Sequence, residues 1–434
     1  MNEHPLFELI RGPVPGPRSL ELAATLARFE SRGVTYLAKD FPVFWQSASG
    51  ALVTDVDDNR YIDLTSAFGV ANTGHTNPYV GAAIADQAVR LVHGMGDVHP
   101  TEVRVQLLEK LASIAPAGLQ KTFLCSTGAE AVEFALKTAY LKTHKPHVLA
   151  YENSYHGLSL GALSVSGIAK FREPFAPLVT TGTTWLPYPT AANGTPAALI
   201  EINEALARDP QIGAIILEPI QGRGGIIVPP PGFLAGVRTI CDRAQIVMIL
   251  DEIYTGFGRT GAMFACDIDG VVPDLMCVGK AIANGVPLSA TIGRADVMDA
   301  WETSTGEALH TSTYLGNPLA CAAALANIDE IQRLNLITTV RGRAQFLAER
   351  LFRLRKYTAC IRDIRGLGYM WAIECTDPAI ATTIVKQALG CGVILLQSGP
   401  TGSSITIAPP LTIEPSQIER AIGIVESIVE NVKR

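Results

Sequence analysis

Residues 246–280 read IVMILDEIYTGFGRTGAMFACDIDGVVPDLMCVGK, and this stretch decides the fold. Two short apolar runs, 246–250 and 275–278, each lead into polar residues, the first into Asp251 and the second into Gly279 and Lys280. A run of four or five apolar residues bounded by turn formers is the pattern of a strand buried on both faces, as in parallel sheets. Similar runs occur at 122–125, 147–151, 214–217 and 288–292, spaced by longer amphipathic stretches. Strands alternating with helices predict an α/β domain whose mostly parallel sheet is covered on both sides.

Outside this region the pattern changes. A Pro-rich arm at 12–17 leads into a helical segment at 19–32, and residues 43–64 alternate apolar and polar around the turn 57–60, as a hairpin does. Beyond about 330 come a long helix, strand-like stretches at 369–374 and 393–396, and a closing amphipathic helix at 415–432. The reading is an N-terminal arm and hairpin (1–65), a large domain (66–328) and a C-terminal segment (329–434). The two ends together form a smaller α+β domain. A chain of 434 residues fits two bodies, since single cores stop growing near ~250–300 residues.

Composition narrows the function. With 48% hydrophobic residues against 18% charged, the chain has material for a deep core and a sizeable subunit interface. A net charge of −6 provides no basic footprint for nucleic acid. No apolar run approaches the ~18–20 residues that span a bilayer. The opening MNEHPLFE lacks the basic and apolar regions of a secretion signal. Eight cysteines without a C-x-x-C pair read as reduced thiols, so a cytoplasmic location is expected. The histidines show no metal-ligand spacing, and no metal is expected.

In open α/β sheets chemistry collects beyond the carboxyl ends of the strands. Thr127-Gly128-Ala129-Glu130 follows the run at 122–125 and reads as a capping box before a helix; the same geometry offers backbone N–H groups and a helix dipole to a phosphate. Asp251 is either an N-cap or a carboxylate awaiting a cation that offsets its desolvation. Lys280 has small or apolar neighbours on both sides. A lysine there either snorkels to solvent or is buried, and burial would lower its pKa and make it nucleophilic. Gly256-Phe257-Gly258-Arg259-Thr260-Gly261 matches the dinucleotide pattern G-x-G-x-x-G, but no crossover helix or second acid-tipped strand follows, so a nicotinamide cofactor is disfavoured.

In this order the segments resemble the class III aminotransferases, pyridoxal-phosphate enzymes of fold type I. The likeness is collinear over nearly the whole chain, from 50–63 (GALVTDVDDNRYID) and 72–75 (NTGH) to 408–413 (APPLTI). The 29 residues from Asp251 to Lys280 also resemble the family's interval. The resemblance implies that Lys280 carries pyridoxal 5'-phosphate as a Schiff base and acts as general base, with Asp251 paired to the pyridine nitrogen. It implies that Thr127, Gly128 and Ala129 hold the phosphate, that Tyr155 stacks on the ring beside His156, and that Thr313 reaches the phosphate across a homodimer interface. Glu218 and Gln221 would face the substrate, a small amine or amino acid exchanging with a keto compound, in a pocket that includes Phe68 and Val70.

Three positions depart from the family pattern. Tyr254 stands where many members have a glutamine near the cofactor's phenolic oxygen. Thr406 stands where members using glutamate commonly have an arginine. Arg223 stands where an acid is common, and is a candidate partner for Glu218 or for a substrate carboxylate. Loss of the arginine at 406 is also compatible with an amino-acid racemase or epimerase on the same fold.

Overall fold

The structure, a computed structural model, describes residues 6–432; residues 1–5, part of the stretch read above for a secretion signal, lie outside it. Three strands come first, β1 (Trp45–Ser49), β2 (Leu52–Asp55) and β3 (Arg60–Asp63). Seven form the large sheet: β4 (Leu119–Cys125), β5 (His147–Tyr151), β6 (Thr183–Leu186), β7 (Ile212–Leu217), β8 (Val247–Asp251), β9 (Leu275–Val278) and β10 (Ser289–Arg294). Five follow: β11 (Ile361–Leu367), β12 (Met370–Cys375), β13 (Val393–Ile394), β14 (Leu396–Ser398) and β15 (Ser404–Ile407).

The chain forms two compact units, one of residues 78–341 and one joining 1–77 to 342–434. These limits fall later along the chain than the 65/66 and 328/329 boundaries read from the sequence. Local bonding accounts for both shifts. Ser66 Oγ donates to the Ala408 carbonyl at 2.7 Å, Leu411 N to the Asn72 carbonyl at 2.8 Å, and Gly50 and His75 exchange backbone bonds, so 66–77 belongs with the C-terminal segment. The helix Pro318–Arg333 buries Ala320, Ala324, Ile328 and Ile331, and Arg341 donates to the Gly261 carbonyl, so 329–341 stays with the large unit.

In the large unit the sheet order is β4-β10-β9-β8-β7-β5-β6. β9, β8, β7, β5 and β6 run parallel, and β10 is antiparallel to both its neighbours. Every residue of β7, β8 and β9 is buried, as two covered faces require. The register pairs Asp251 with Cys277, so Asp251 and the Gly279-Lys280 dipeptide leave neighbouring strands at one edge of the sheet. The helix Gly128–Thr143 buries Ala131, Val132, Phe134, Ala135 and Ala139 in the same core as Ala214, Ile216, Ile249 and Cys277. No α-helix follows the glycines at 256–261, only a 3₁₀ turn at Ala265–Ile268; the glycine segment is a series of turns with Phe257, Gly258 and Gly261 at positive φ.

The smaller unit holds two four-stranded sheets. In one the order is β1-β2-β3-β13, with β13 parallel to β3; in the other it is antiparallel, β11-β12-β15-β14. Between β3 and the strand-free segment that follows, Ser66, Ala67 and Phe68 adopt φ of 49°, 49° and 65° before Gly69 at 77°. Three consecutive non-glycine residues in the left-handed region are costly, and the Asp63 carboxylate holds them. It accepts from Thr65 N (2.7 Å), Thr65 Oγ1 (2.6 Å), Ala67 N (3.2 Å) and His75 Nε2 (2.8 Å). Among the described residues no helix is long and apolar enough to cross a membrane.

Candidate active site

Thr127 is the N-cap of the helix Gly128–Thr143, and its hydroxyl accepts from Glu130 N at 3.3 Å. The reciprocal arm of the expected capping box is displaced by one residue, because the Glu130 carboxylate accepts from Ser126 N at 2.8 Å. The N–H groups of Gly128 and Ala129 carry no hydrogen bond among the described residues, as expected for the first turn of a helix. The loop after β5 packs against this turn through Gly157. At φ 123°, a Cβ there would lie 2.7 Å from Ala129 Cβ and 2.9 Å from Ala129 Cα. Gly128 faces Ile253, the second residue beyond Asp251, with a built Cβ 2.8 Å from Ile253 Cδ1.

Asp251 ends β8 and is 4% exposed. Its Oδ1 accepts from Ile253 N at 3.0 Å and its Oδ2 meets His156 Nδ1 at 2.7 Å. A carboxylate can only accept, so Nδ1 carries the proton. His156 Nε2 is buried without a hydrogen-bond partner among the described residues. His156, expected among the cofactor contacts, is hydrogen-bonded to Asp251 and orients it. A carboxylate has about four acceptor positions, and two of Asp251's are filled.

Lys280 follows β9 at φ 44°, a left-handed conformation unusual for a side chain of this size. Its amine sits 4.8 Å from the centroid of the Tyr254 ring. Burial pushes its pKa below the ordinary lysine value, against the opposing pull of Asp251 and Glu218, while Arg223 adds to the lowering. Asn327, buried in the helix Pro318–Arg333, donates to the Ala281 carbonyl at 2.7 Å and to that of Ile282 at 3.2 Å. It fixes the turn that carries Lys280. The sequence offered one signal for it, an amide among the apolar residues of that helix.

Glu218 follows β7. Its carboxylate accepts from Tyr155 N at 3.0 Å and from Gly222 N at 2.8 Å, and burial pushes its pKa up to about 7, with Asp251 adding and His156 opposing. Gln221 turns its amide to the Glu152 carbonyl at 2.8 Å. Arg223 forms no ion pair with Glu218 among the described residues; its guanidinium lies 5.5 Å from the Tyr155 ring centroid and 5.2 Å from that of Phe171. Burial raises the Tyr155 pKa.

Lys280, Asp251, His156, Tyr155, Tyr254, Glu218, Gln221, Arg223 and the 127–129 turn therefore belong to one web of contacts in the large unit. Thr313 is in that unit too, exposed in the segment before the helix Pro318–Arg333. Phe68, Val70 and Thr406 are in the smaller unit. Phe68 is 56% exposed on the left-handed turn and Val70 is partly buried beside it. Thr406 lies buried in β15 with its hydroxyl bonded to Ser398 Oγ at 2.7 Å. Among the described residues no group of three or more His, Cys, Asp or Glu could hold a metal ion.

A half-buried lysine beside an incompletely filled aspartate, at the strand ends of a mostly parallel sheet, defines a fold type I α/β enzyme. The profile of aminotransferase class III matches residues 35–429, and the chain belongs to that family; its reaction is amino-group transfer. The chain is 39% identical over 438 residues to a 4-aminobutyrate aminotransferase of Mycobacterium leprae, covering 96% of each sequence. It is 38% identical to a protein of that name in Mycobacterium tuberculosis, covering 96% of this chain and 97% of the relative. Among solved structures, the ornithine aminotransferase of Toxoplasma gondii superposes with a TM-score of 0.86 at 31% identity, over 96% of both chains. An (S)-enantioselective omega-transaminase from Thermomicrobium roseum superposes with a TM-score of 0.89 at 27% identity, over 96% of this chain and 99% of that one.

Proposed function

We propose that the amino group is carried by pyridoxal 5'-phosphate held on Lys280. It moves between a small amine or amino acid and a keto acid, ketone or aldehyde. The working form is a cytoplasmic homodimer in which Thr313 of the partner subunit completes each phosphate site. The observation that carries this reading is the carboxylate of Asp251, buried, ordered by His156 and Ile253, and with acceptor positions left for a protonated pyridine nitrogen. The unbonded N–H groups of Gly128 and Ala129, at a helix N-terminus, suit a phosphate. Seven of the eight thiols are buried and none is in a disulfide, which supports a reducing compartment.

When bound, the cofactor supplies an electrophilic aldehyde carbon and a pyridine ring that takes up electron density. Lys280 contributes a nucleophilic amine, because burial raises the fraction of its neutral form. With the cofactor in place, the same Nζ would be the base that takes the proton from the carbon next to the substrate nitrogen and returns one. Tyr254 backs the lysine, and Asn327 holds the turn from which it projects. The His156 Nδ1–H keeps Asp251 aimed.

The names of the mycobacterial relatives make 4-aminobutyrate the first donor to assay. The racemase alternative raised by Thr406 gains no support from the relatives named above, which are aminotransferases and transaminases. The test is a panel of donors and acceptors with the reconstituted protein, following keto product. Wild type should form product in proportion to acceptor. Loss of optical purity of an amino acid without any acceptor would instead favour the racemase.

A further inference from the structure

We propose that Arg223 is the substrate-carboxylate anchor of this enzyme; the assignment rests on the aminotransfer reading above. Residues 221, 222, 224, 225 and 226 are all buried, and Arg223 alone among them is exposed. The loop that carries it is a closed arch. Gln221 and Ile227 exchange backbone hydrogen bonds at 3.1 and 3.0 Å, and Gly225 N and Ile226 N both donate to the Gly222 carbonyl. The arch packs so closely on its surroundings that a Cβ at Gly222 would lie 2.5 Å from Tyr254 Cδ1, and one at Gly224 2.7 Å from the Asn153 carbonyl oxygen.

Glu218 staples the arch to the loop bearing Tyr155. One carboxylate oxygen accepts from Tyr155 N and the other from Gly222 N, the residue before Arg223. The guanidinium is thereby held against two rings, Tyr155 and Phe171, which meet edge to face with centroids 5.8 Å apart. At 5.5 and 5.2 Å from the two centroids the guanidinium carbon is within cation–π range of both rings. Among the described residues those N–H groups have no carboxylate or carbonyl acceptor. A planar fork of donors, beside two rings and without an anion among the described residues, is suited to bind a carboxylate bidentately.

The charge also acts within the site. Arg223 adds to the lowering of the Lys280 pKa and opposes the raising of that of Tyr155, so its field reaches both the amine and the aromatic platform. Among the described residues no ion pair with Glu218 competes for it. The substrate class that follows is an amine or amino acid with a carboxylate, together with the keto acid of the same shape.

The test uses holoenzyme and matched donors that differ in the carboxylate: 4-aminobutyrate against butylamine, and β-alanine against propylamine. Wild type should prefer the carboxylate-bearing member of a pair. Arg223→Gln should reduce that preference roughly 10- to 100-fold, the loss of a charge-assisted hydrogen-bond pair. The change should fall on KM, and Arg223→Lys should recover part of it. Binding of unreactive glutarate, measured by calorimetry, should weaken in parallel, whereas glutaramide binding should not follow. A wild type that converts both donors without preference, or an Arg223→Gln enzyme that keeps the preference, overturns the assignment and leaves aminotransfer standing. A wild type that converts no donor with any acceptor overturns both.

Discussion

Each unit contains a buried aspartate paired with a histidine, and the two pairs look alike until their hydrogen bonds are counted. Asp63 meets His75 at 2.8 Å and Asp251 meets His156 at 2.7 Å, and both carboxylates are nearly or fully buried. Asp63 accepts four hydrogen bonds, three of them from the turn at 65–67 that it holds in a left-handed conformation. Asp251 accepts two. A carboxylate with every acceptor position filled by its own chain is a structural part. One that is buried, oriented and half filled is available to a ligand that brings a positive charge.

The contrast predicts different outcomes for substitution at the two positions. Asp251→Asn should reduce kcat roughly 10²–10³-fold, the scale for removing one preorganised electrostatic group, while the unfolding midpoint of the cofactor-free protein hardly moves. Asp63→Ala should instead destabilise the protein by about 3–5 kcal/mol, because it strands several buried donors. Denaturant titration and steady-state kinetics on both variants check the pair, and an exchange of the two phenotypes would break the distinction.

Glu218 extends the comparison to a carboxylate that accepts only two backbone N–H groups and has no ion pair among the described residues. Its folded pKa, about 7, lies above the ordinary 4.5. Below pH 4.5 the proton is bound in both states. As the pH rises toward 7 the unfolded chain releases it first, so the stability present at low pH is lost across that window. Glu218→Gln has no such proton, so the cofactor-free variant should gain on wild type between those limits and hold the gain above them. Parallel unfolding curves from pH 4 to 8 measure it.

The smallest effect contrasts two glycines at positive φ. Gly157→Ala pushes a methyl group into Ala129 at the phosphate turn, and should weaken cofactor affinity roughly tenfold, an overpacking strain of about 1–3 kcal/mol. Gly74→Ala crowds Thr412 Oγ1 and Gly50 Cα in the smaller unit, and should lower the melting temperature with little change in cofactor affinity. Fluorescence titration with pyridoxal phosphate separates the two.

The strand ends were legible because burial on both faces leaves continuous apolar runs, and Asp251, Lys280 and the 127–130 turn stand directly beyond them. β6 was not, since Thr183 and Thr184 interrupt it and an edge strand needs no continuous apolar run. The antiparallel direction of β10 was hidden because apolarity has no polarity along the chain. His156 could be noticed beside Tyr155, but its bond to a residue 95 positions away could not. Nor could the left-handed turn at 66–68, where glycine occupies only the fourth position.

The central claim concerns one nitrogen atom. Reconstitution with pyridoxal phosphate, borohydride reduction and peptide mapping should place a single phosphopyridoxyl group on Lys280, and the Lys280→Ala protein should take up none at that peptide. A reduced wild-type protein without the modification, or with it on another lysine, would contradict the account.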